Sequence, residues 1–584
     1  MALWKKAVWM LIWCTPAIWI GWLVIKNGVD VPILDQWDGT YLLFEKADAG
    51  TLGMSDFFAQ HNEHRMFFPR LIMFLLGKLT HWNVWAELGL IWMLGWLCVL
   101  SIWRLALTTG WDLFRAGWPA FAVSALVFTP LGFENWLMGF QIGLLVPVAC
   151  FVGCLSVASS TRFPFNFLLS MVICTVCTLS IASGFTCWLL TFPLLMLPEG
   201  KLDWSRKRVW WLLWGAGFLI TTVVYFHGYT KPAVHPDMSL AVKHPISASQ
   251  FFLAYLGAPF AHGTALEATL VSQIAGAALV ALLFLACAYL WFWRHDRALT
   301  SRALPWVMCS LIALFNGGLI TIGRMGFGVS EAMASRYQPL CATLPISLLF
   351  LGPLVFQHWS VLATSGSRRV LRVGMGLSAL TAGFALLFLM GEFPALGDWR
   401  ERHLRGLAAK AVVELINVID DPEAVASPVH PRSEIVRPRA NVLDRLGYLR
   451  PPLIRSRAIR QIADPAAKAD GHQGAIVRSG RVSTGQFAMV GWAILPERRR
   501  QADVVVLTYD DPNGEPLIFS LALVGVSVTR VAGAPQEAGY ETCGWSKVFD
   551  PGGLPPGAHL LRAWAFDAEK CRAYPLGEAV DLIR

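Results

Sequence analysis

The chain has 584 residues, 55% of them hydrophobic and 15% charged, with a formal net charge of +9. Soluble proteins carry about 25% charged residues, whereas here residues 1–390 hold 40 charged side chains and the 194 residues after them hold 47. That split describes a membrane-embedded body followed by a soluble part, and it excludes a soluble enzyme, a disordered chain and a collagenous or disulfide-stapled scaffold. The positive excess lies in short loops between apolar runs, so no nucleic-acid partner is expected.

A helix that crosses a bilayer needs roughly 20 mostly apolar residues. Eleven such spans are predicted, at 7–26, 84–107, 116–132, 140–158, 165–182, 185–198, 209–226, 267–293, 304–322, 339–357 and 371–390. The sixth is short and reads as a broken helix. The stretch 249–262 is apolar but interrupted by Gly and Pro, and reads as re-entrant or interfacial. The first span is long, rich in Trp and lacks a small-x-small cleavage site, so it reads as an anchor. With Lys5 and Lys6 in the cytoplasm, the cytoplasmic side receives 15 basic residues and four acids, and the far side nine basic residues and twelve acids. The positive-inside rule selects that orientation. An odd number of spans then places the C-terminal part in a periplasm-like space, as in a bacterial inner-membrane protein. No Walker A motif and no long cytoplasmic loop argue for a pump. Cys174 and Cys177, a C-x-x-C inside an apolar run, read as helix packing. Cys543 and Cys571 are the two cysteines of the soluble part and a candidate disulfide.

The loop between the first two spans, residues 27–83, carries seven of the sixteen acids found before residue 391. Asp35 and Asp38 sit in a D-Q-W-D run close to the end of the first span, and therefore near the membrane surface. Residues 40–49 and 66–79 have helical apolar spacing without the length to span, which predicts two helices lying in the interface. Carboxylates held beside an apolar slot suit a general base that takes a proton from an acceptor hydroxyl while a phosphate leaves a lipid-linked donor. His61, Asn62, Glu63, His64 and Arg65 follow, able to orient the base, bind a sugar, neutralise a phosphate or hold a divalent ion, Mg or Mn. The plainer reading is solvated acids and a helix cap with a surface ion pair; the density of polar groups in one juxtamembrane loop favours chemistry.

Three later outer loops add candidates. Glu134, Asn135, Trp136 and Gln141 form an amide and carboxylate group beside an indole, a candidate sugar platform, with an interfacial Trp anchor as the alternative. Tyr229, Lys231, His235 and Lys243 face outward, where Lys231 is a candidate substrate contact. Arg324 and Arg336 are candidate phosphate ligands, since the guanidinium fork suits phosphate and stabilises charge on a leaving group. Tyr337 adds a hydroxyl, and glycines at 323, 326 and 328 mark a segment able to order around a donor.

Beyond residue 390, helical spacing at 398–420 gives way to a Pro-, Arg- and Ala-rich connector over 421–484 with a short helix near 441–449. Residues 485–584 alternate in strand fashion at QFAMVGWAIL, ADVVVLTYD, LIFSLALV, WSKVFD and HLLRAWAFD, with DPNGEP and DPGGLPPG as turns, which predicts an antiparallel β-sandwich.

A cytoplasmic N-terminus, a long first outer loop with an acid soon after the first span, two juxtamembrane helices, many spans and an outer C-terminal domain together resemble the GT-C superfamily of integral membrane glycosyltransferases. That superfamily includes the oligosaccharyltransferases, the protein O-mannosyltransferases and the aminoarabinose transferase of lipid A. The D-Q-W-D run differs from the D-E pair of the mannosyltransferases, and either Asp35 or Asp38 can be the base; the resemblance favours Asp35. It implies a polyprenyl-phosphate or polyprenyl-diphosphate sugar donor, a periplasmic glycan, lipid or protein acceptor, and an inverting single displacement. A transporter or flippase of a lipid-linked saccharide is the alternative, but it calls for internal repeats and charges at the bilayer midplane, which the sequence lacks. A surface-polysaccharide polymerase or ligase is the third class.

Overall fold

The computed structural model describes all residues except 1–2, 115–116, 161, 197–203, 232–235, 265, 364–367, 483–484, 538, 557–559 and 583–584, and except the side chains of 204–207 and 530. Its contacts divide the chain into two units. One comprises Met1–Asn27, Thr51–Leu75 and Ala86–Arg400; the other comprises Gly28–Gly50, Leu76–Trp85 and Glu401–Arg584. Two pieces of the first outer loop thus group with the C-terminal part.

Among the described residues nine helices are long and apolar enough to cross a membrane: Leu3–Asn27, Val84–Thr108, Trp118–Leu137, Gly139–Ala158, Arg208–Phe226, Ala268–Phe292, Arg297–Phe327, Ser335–Leu362 and Arg368–Glu414. The chain is a multi-pass membrane protein. Each of the eleven predicted spans contains helix, but two are too short to cross alone. They are Phe165–Thr178, of 14 residues, and Phe185–Met196, of 12. At about 1.5 Å per residue neither reaches the roughly 30 Å of a hydrocarbon core. Gly184 sets the turn between them, where an added Cβ would fall 2.3 Å from the carbonyl oxygen of Cys177. Only a glycine lets the second helix start this close to the first.

The stretch read as re-entrant or interfacial forms helix Pro245–Gly257 and a 3-10 turn Ala258–Phe260, with Phe251, Ala254, Tyr255 and Leu256 fully buried. It crosses Ala268–Phe292 at Gly257 and Gly276, where an added Cβ would lie 1.8 Å from Ser272 O or 2.0 Å from Leu253 O. Two backbones touch there, the packing that small residues permit between membrane helices. In the first helix Trp13 is buried and its indole N–H donates to Gly117 O at 2.8 Å, while Leu11, Ile18, Trp19 and Trp22 face outward. Exposed Leu212, Leu219, Ile220 and Val223 give Trp204–Phe226 an apolar face of the kind lipid covers.

The second unit is built on an antiparallel sheet of nine strands. Their ranges are β3 Gly474–Arg481, β4 Phe487–Leu495, β5 Arg500–Gln501, β6 Val504–Asp510, β7 Pro516–Val526, β8 Gly544–Phe549, β9 Leu560–Asp567, β10 Arg572–Pro575 and β11 Val580–Asp581; β1 and β2 are the short pair Gln60–His61 and His64–Arg65 of the first unit. The order is β10-β9-β6-β7-β8-β4-β3, with β11 on β9 and β5 on β4. All five strand-like runs of the sequence are strands. The expected sandwich of two separate sheets is instead one continuous hydrogen-bonded path. Register shifts between Ile476 and Arg478, Leu507 and Thr508, and Val524 and Val526 bend it, and one face closes over Met489, Leu507, Trp545 and Leu561, all buried. The predicted connector is partly helical, at Pro422–Ala426 and Ser433–Arg445, and its end forms β3. Cys543 and Cys571 are free thiols.

Candidate functional site

In the second unit, Asp35–Asp38 forms a single helical turn followed by helix Thr40–Asp48. Trp37 anchors the turn: its ring is fully buried and its N–H donates to Pro32 O at 2.9 Å. Gln36, also buried, accepts the Ile33 N–H at 3.2 Å. Leu34, immediately before Asp35, has φ 49° and ψ −126°. A branched side chain in that region is strained, at a cost of order 1–3 kcal/mol. The strain is held by the Leu34 N–H donating to Val429 O at 2.9 Å. Such strain persists where the surroundings impose it, and here it sets the direction of the Asp35 turn.

Asp38 is committed to cations. Arg439 donates to its Oδ1 at 2.9 Å, Arg432 to its Oδ2, and His430 to Oδ2 at 3.1 Å. Burial raises the carboxyl, but Arg439, Arg432 and the field of His430 outweigh it and hold Asp38 below its usual range. Other acids of the same segment follow suit. Asp48 pairs with Arg445 at 2.9 Å, and Asp30 pairs with Arg450 at 3.7 Å while accepting the Val84 N–H at 2.9 Å. The Tyr41 hydroxyl donates to Glu45 at 3.0 Å, and the Arg439 guanidinium lies 5.2 Å from the Tyr41 ring centre. Much of the acid density that marked this loop is thus ion pairing with arginines of residues 432–450. Sequence reading passed over these arginines, although Arg432, Arg439 and Arg445 lie in and beside one amphipathic helix. Asp35 opens the turn, half-buried, with its carbonyl accepting the Gly39 N–H at 2.8 Å.

In the first unit, His61 to Arg65 is a tight β-turn between β1 and β2 rather than a helix cap. Asn62 takes φ 50°, a conformation asparagine tolerates. Glu63 Oε1 meets Arg324 Nη2 at 3.0 Å and His64 Nε2 at 3.5 Å. His64 Nδ1 accepts the Ala182 N–H at 3.2 Å, so Nε2 carries the proton toward Glu63. Arg65 is buried and donates to the carbonyls of Phe58 at 2.8 Å, Tyr225 at 3.1 Å and His227. Its fork is spent on backbone, which makes it a scaffold residue. The Tyr225 hydroxyl donates to Glu63 O at 2.6 Å, and Gln60 exchanges hydrogen bonds with Thr230. The turn therefore joins three predicted clusters: the first loop, the loop of Tyr229 and Lys231, and Arg324. Lys231 is exposed; His235 lies outside the described residues.

Glu134 and Arg336 also meet. Glu134 Oε2 accepts from the Ser335 hydroxyl at 2.7 Å and the Arg336 N–H at 3.2 Å, and lies 3.9 Å from the Arg336 guanidinium, which also pairs with Glu331. Asn135 is buried and donates to Ser335 O at 3.1 Å. Trp136 is buried too, its N–H on Thr129 O at 3.0 Å and its ring stacked on Phe128 at 5.4 Å. A ring covered on its faces offers no platform to a sugar, so Trp136 and Asn135 hold the loop. Gln141 is half-buried beside Met138. Tyr337 is buried, with the Arg336 guanidinium 5.1 Å from its ring centre. The glycine-bearing loop is ordered into the 3-10 turns Met325–Phe327, Val329–Met333 and Ser335–Tyr337. Of the two candidate phosphate arginines, Arg336 faces two carboxylates and Arg324 one.

Among the described residues the one set of three acid, His or Cys ligand atoms lying within 4.8 Å of one another is made of thiols. Asp38 and Glu63 are already engaged by guanidinium groups.

No family profile matches the chain, and no curated protein matches it. Among solved structures it matches the oligosaccharyltransferase of Archaeoglobus fulgidus, crystallised in complex with Zn and sulfate, at 12% identity and a TM-score of 0.32, over 66% of this chain and 53% of that one. The chain spans about half the length of that protein.

Proposed function

We propose that the chain is an inverting glycosyltransferase of the GT-C type. It moves a sugar from a polyprenyl-phosphate or polyprenyl-diphosphate donor to a glycan, lipid or protein acceptor on the periplasmic side of a bacterial inner membrane. The observation that supports this reading is the engagement of Asp38 by Arg432, Arg439 and His430, because a carboxylate already held by cations is a poor proton acceptor. The proposed base is Asp35, as the resemblance favours, and Asp38 is the proposed positioning residue.

In the proposed step Asp35 takes the proton of an acceptor hydroxyl. The acceptor oxygen bonds to the anomeric carbon, and the bond from that carbon to the donor phosphate breaks, its electron pair leaving on phosphate. Arg324, whose guanidinium is held by Glu63, is a proposed phosphate contact. A general base contributes about 10²–10⁴-fold to rate.

The test is transfer by purified protein in nanodiscs supplied with radiolabelled polyprenyl-phosphate sugars and extracted envelope acceptors. Wild type is expected to form a labelled product and Asp35→Asn to form none above background. Translocation of the donor across vesicles with no covalent change would make the protein a flippase and overturn the proposal.

A further inference from the structure

Five of the ten cysteines in the membrane part come together at one crossing of three helices. Cys150 and Cys154 lie on Ile142–Ala158, Cys174 and Cys177 on Phe165–Thr178, and Cys187 on Phe185–Met196. The spacings i,i+4 and i,i+3 put each pair on one helix face. Cys174 Sγ stands 3.6 Å from Cys154 Sγ and 3.6 Å from Cys187 Sγ, and all three sulfurs lie within 4.8 Å of one another. Each of the three residues is at most 1% exposed. The Thr191 hydroxyl donates to Cys154 Sγ at 3.3 Å, and Cys177 makes thiol contacts to Cys187 and Cys150.

We propose that Cys154, Cys174 and Cys187 form a binding site for a soft, singly charged metal ion, Cu(I). The ligands select the class: three sulfurs favour a soft d¹⁰ cation over Mg, Ca or Mn. The number of ligands selects within it. Zinc in a structural site takes four ligands almost without exception, whereas three sulfurs here are mutually close. For a metal–sulfur bond of about 2.3 Å, an ion centred among three sulfurs needs them about 4 Å apart. The two 3.6 Å pairs reach that with movements of a few tenths of an ångström. The setting selects the charge: in an apolar interior the cost of burying an ion rises with its charge, so a monovalent ion is the cheaper one. On binding, one thiol gives up its proton to the bulk solvent and ligates as a thiolate, the other two ligate as thiols, the complex with Cu(I) is neutral as the apolar interior demands, and no redox partner is needed. The ion then ties together two helices too short to span and the longer one beside them.

The experiment uses the full chain, purified anaerobically in detergent and titrated with Cu(I) against a chromogenic Cu(I) chelator. Expected are one Cu(I) retained per chain, an ultraviolet thiolate-to-copper charge-transfer band, and an X-ray absorption signal with sulfur neighbours only. Cys154→Ala, Cys174→Ala and Cys187→Ala should each weaken retention at least tenfold, while Cys98→Ala, Cys309→Ala and Cys341→Ala leave it unchanged. Should a triad variant fail to fold, the wild type still decides: Cu(I) should raise its thermal midpoint, and should do so less for chain pre-treated with a membrane-permeant thiol reagent. Four outcomes overturn the proposal. They are no retained copper, equal retention by the triad variants, preferential uptake of Zn in a four-coordinate site, and isolation of the chain with these cysteines joined as a disulfide.

Discussion

Replacing Asp38 with asparagine removes the negative centre on which Arg432, Arg439 and His430 converge. The side chain of Asp38 is 23% exposed, that of Arg439 19% and that of His430 7%. Exposed ion pairs contribute about 0.2–1 kcal/mol each, and removing one member of a buried pair costs about 3–5 kcal/mol. Asp38 lies between these limits. Asparagine retains an oxygen that accepts from Arg439, so the expected loss is about 2–3 kcal/mol. For a folding unit of roughly 150–250 residues that lowers the thermal midpoint by about 5–10 °C. The pH dependence carries a sign. Asp38 is held below its unfolded value of 3.8, so its contribution is present above pH ~4 and is lost as pH falls through the lower folded value. The assay is thermal unfolding in detergent by intrinsic fluorescence, for wild type, Asp38→Asn, Arg439→Gln and the double variant, with transfer measured in parallel. The cycle should show about 1–2 kcal/mol of non-additivity, and Asp38→Asn should keep measurable transfer below its midpoint. An unchanged midpoint together with abolished transfer would refute the reasoning and make Asp38 the base.

Arg324→Gln should raise the apparent KM for the lipid-linked donor and lower kcat, together by about 10–100-fold, the loss of one charge-assisted contact, while the KM for the acceptor is unchanged; steady-state kinetics with each substrate varied in turn decides. Gly257→Val forces a side chain onto Ser272 O, where even the Cβ lies at 1.8 Å, and should cost several kcal/mol, read as lost monodisperse protein on size exclusion. Gly318→Ala, which meets nothing within 4 Å, is the matched control. Buried Asp503 pairs with Arg500 in the C-terminal unit, yet burial lifts its carboxyl to about 6 from 3.8. A folded value above the unfolded one means that stability falls as pH rises from about 4 to about 6, by roughly 3 kcal/mol. A pH series of unfolding midpoints should show that slope in wild type and a flatter one in Asp503→Asn.

The sequence carried the apolar spans and the alternation of the strands because both are local patterns. Strand β3 escaped because GAIVRSGR mixes apolar and polar residues on each face, Ile476 with Arg478 and Val477 with Arg481, and so shows no clean alternation. The two short helices were taken for spans because composition reads apolarity and not where Gly184 turns the chain. At the candidate site the acids of residues 28–50 were visible, and their purpose was not. Asp38 and Arg439 are 401 residues apart, and no local pattern announces such a pair. The same blindness left Trp136 open between a sugar platform and an interfacial anchor, since an indole at a loop looks alike whether it faces solvent or Phe128. The backbone strain at Leu34 is a tertiary product, and a leucine before an aspartate gives no sign of it.

The most direct test is a single-turnover comparison of wild type and Asp35→Asn with saturating polyprenyl-phosphate sugar and acceptor, after both are shown to unfold at the same midpoint. Loss of a general base predicts a rate reduced by about 10²–10⁴-fold with donor affinity unchanged. Transfer by Asp35→Asn at the wild-type rate would contradict the assignment of the base.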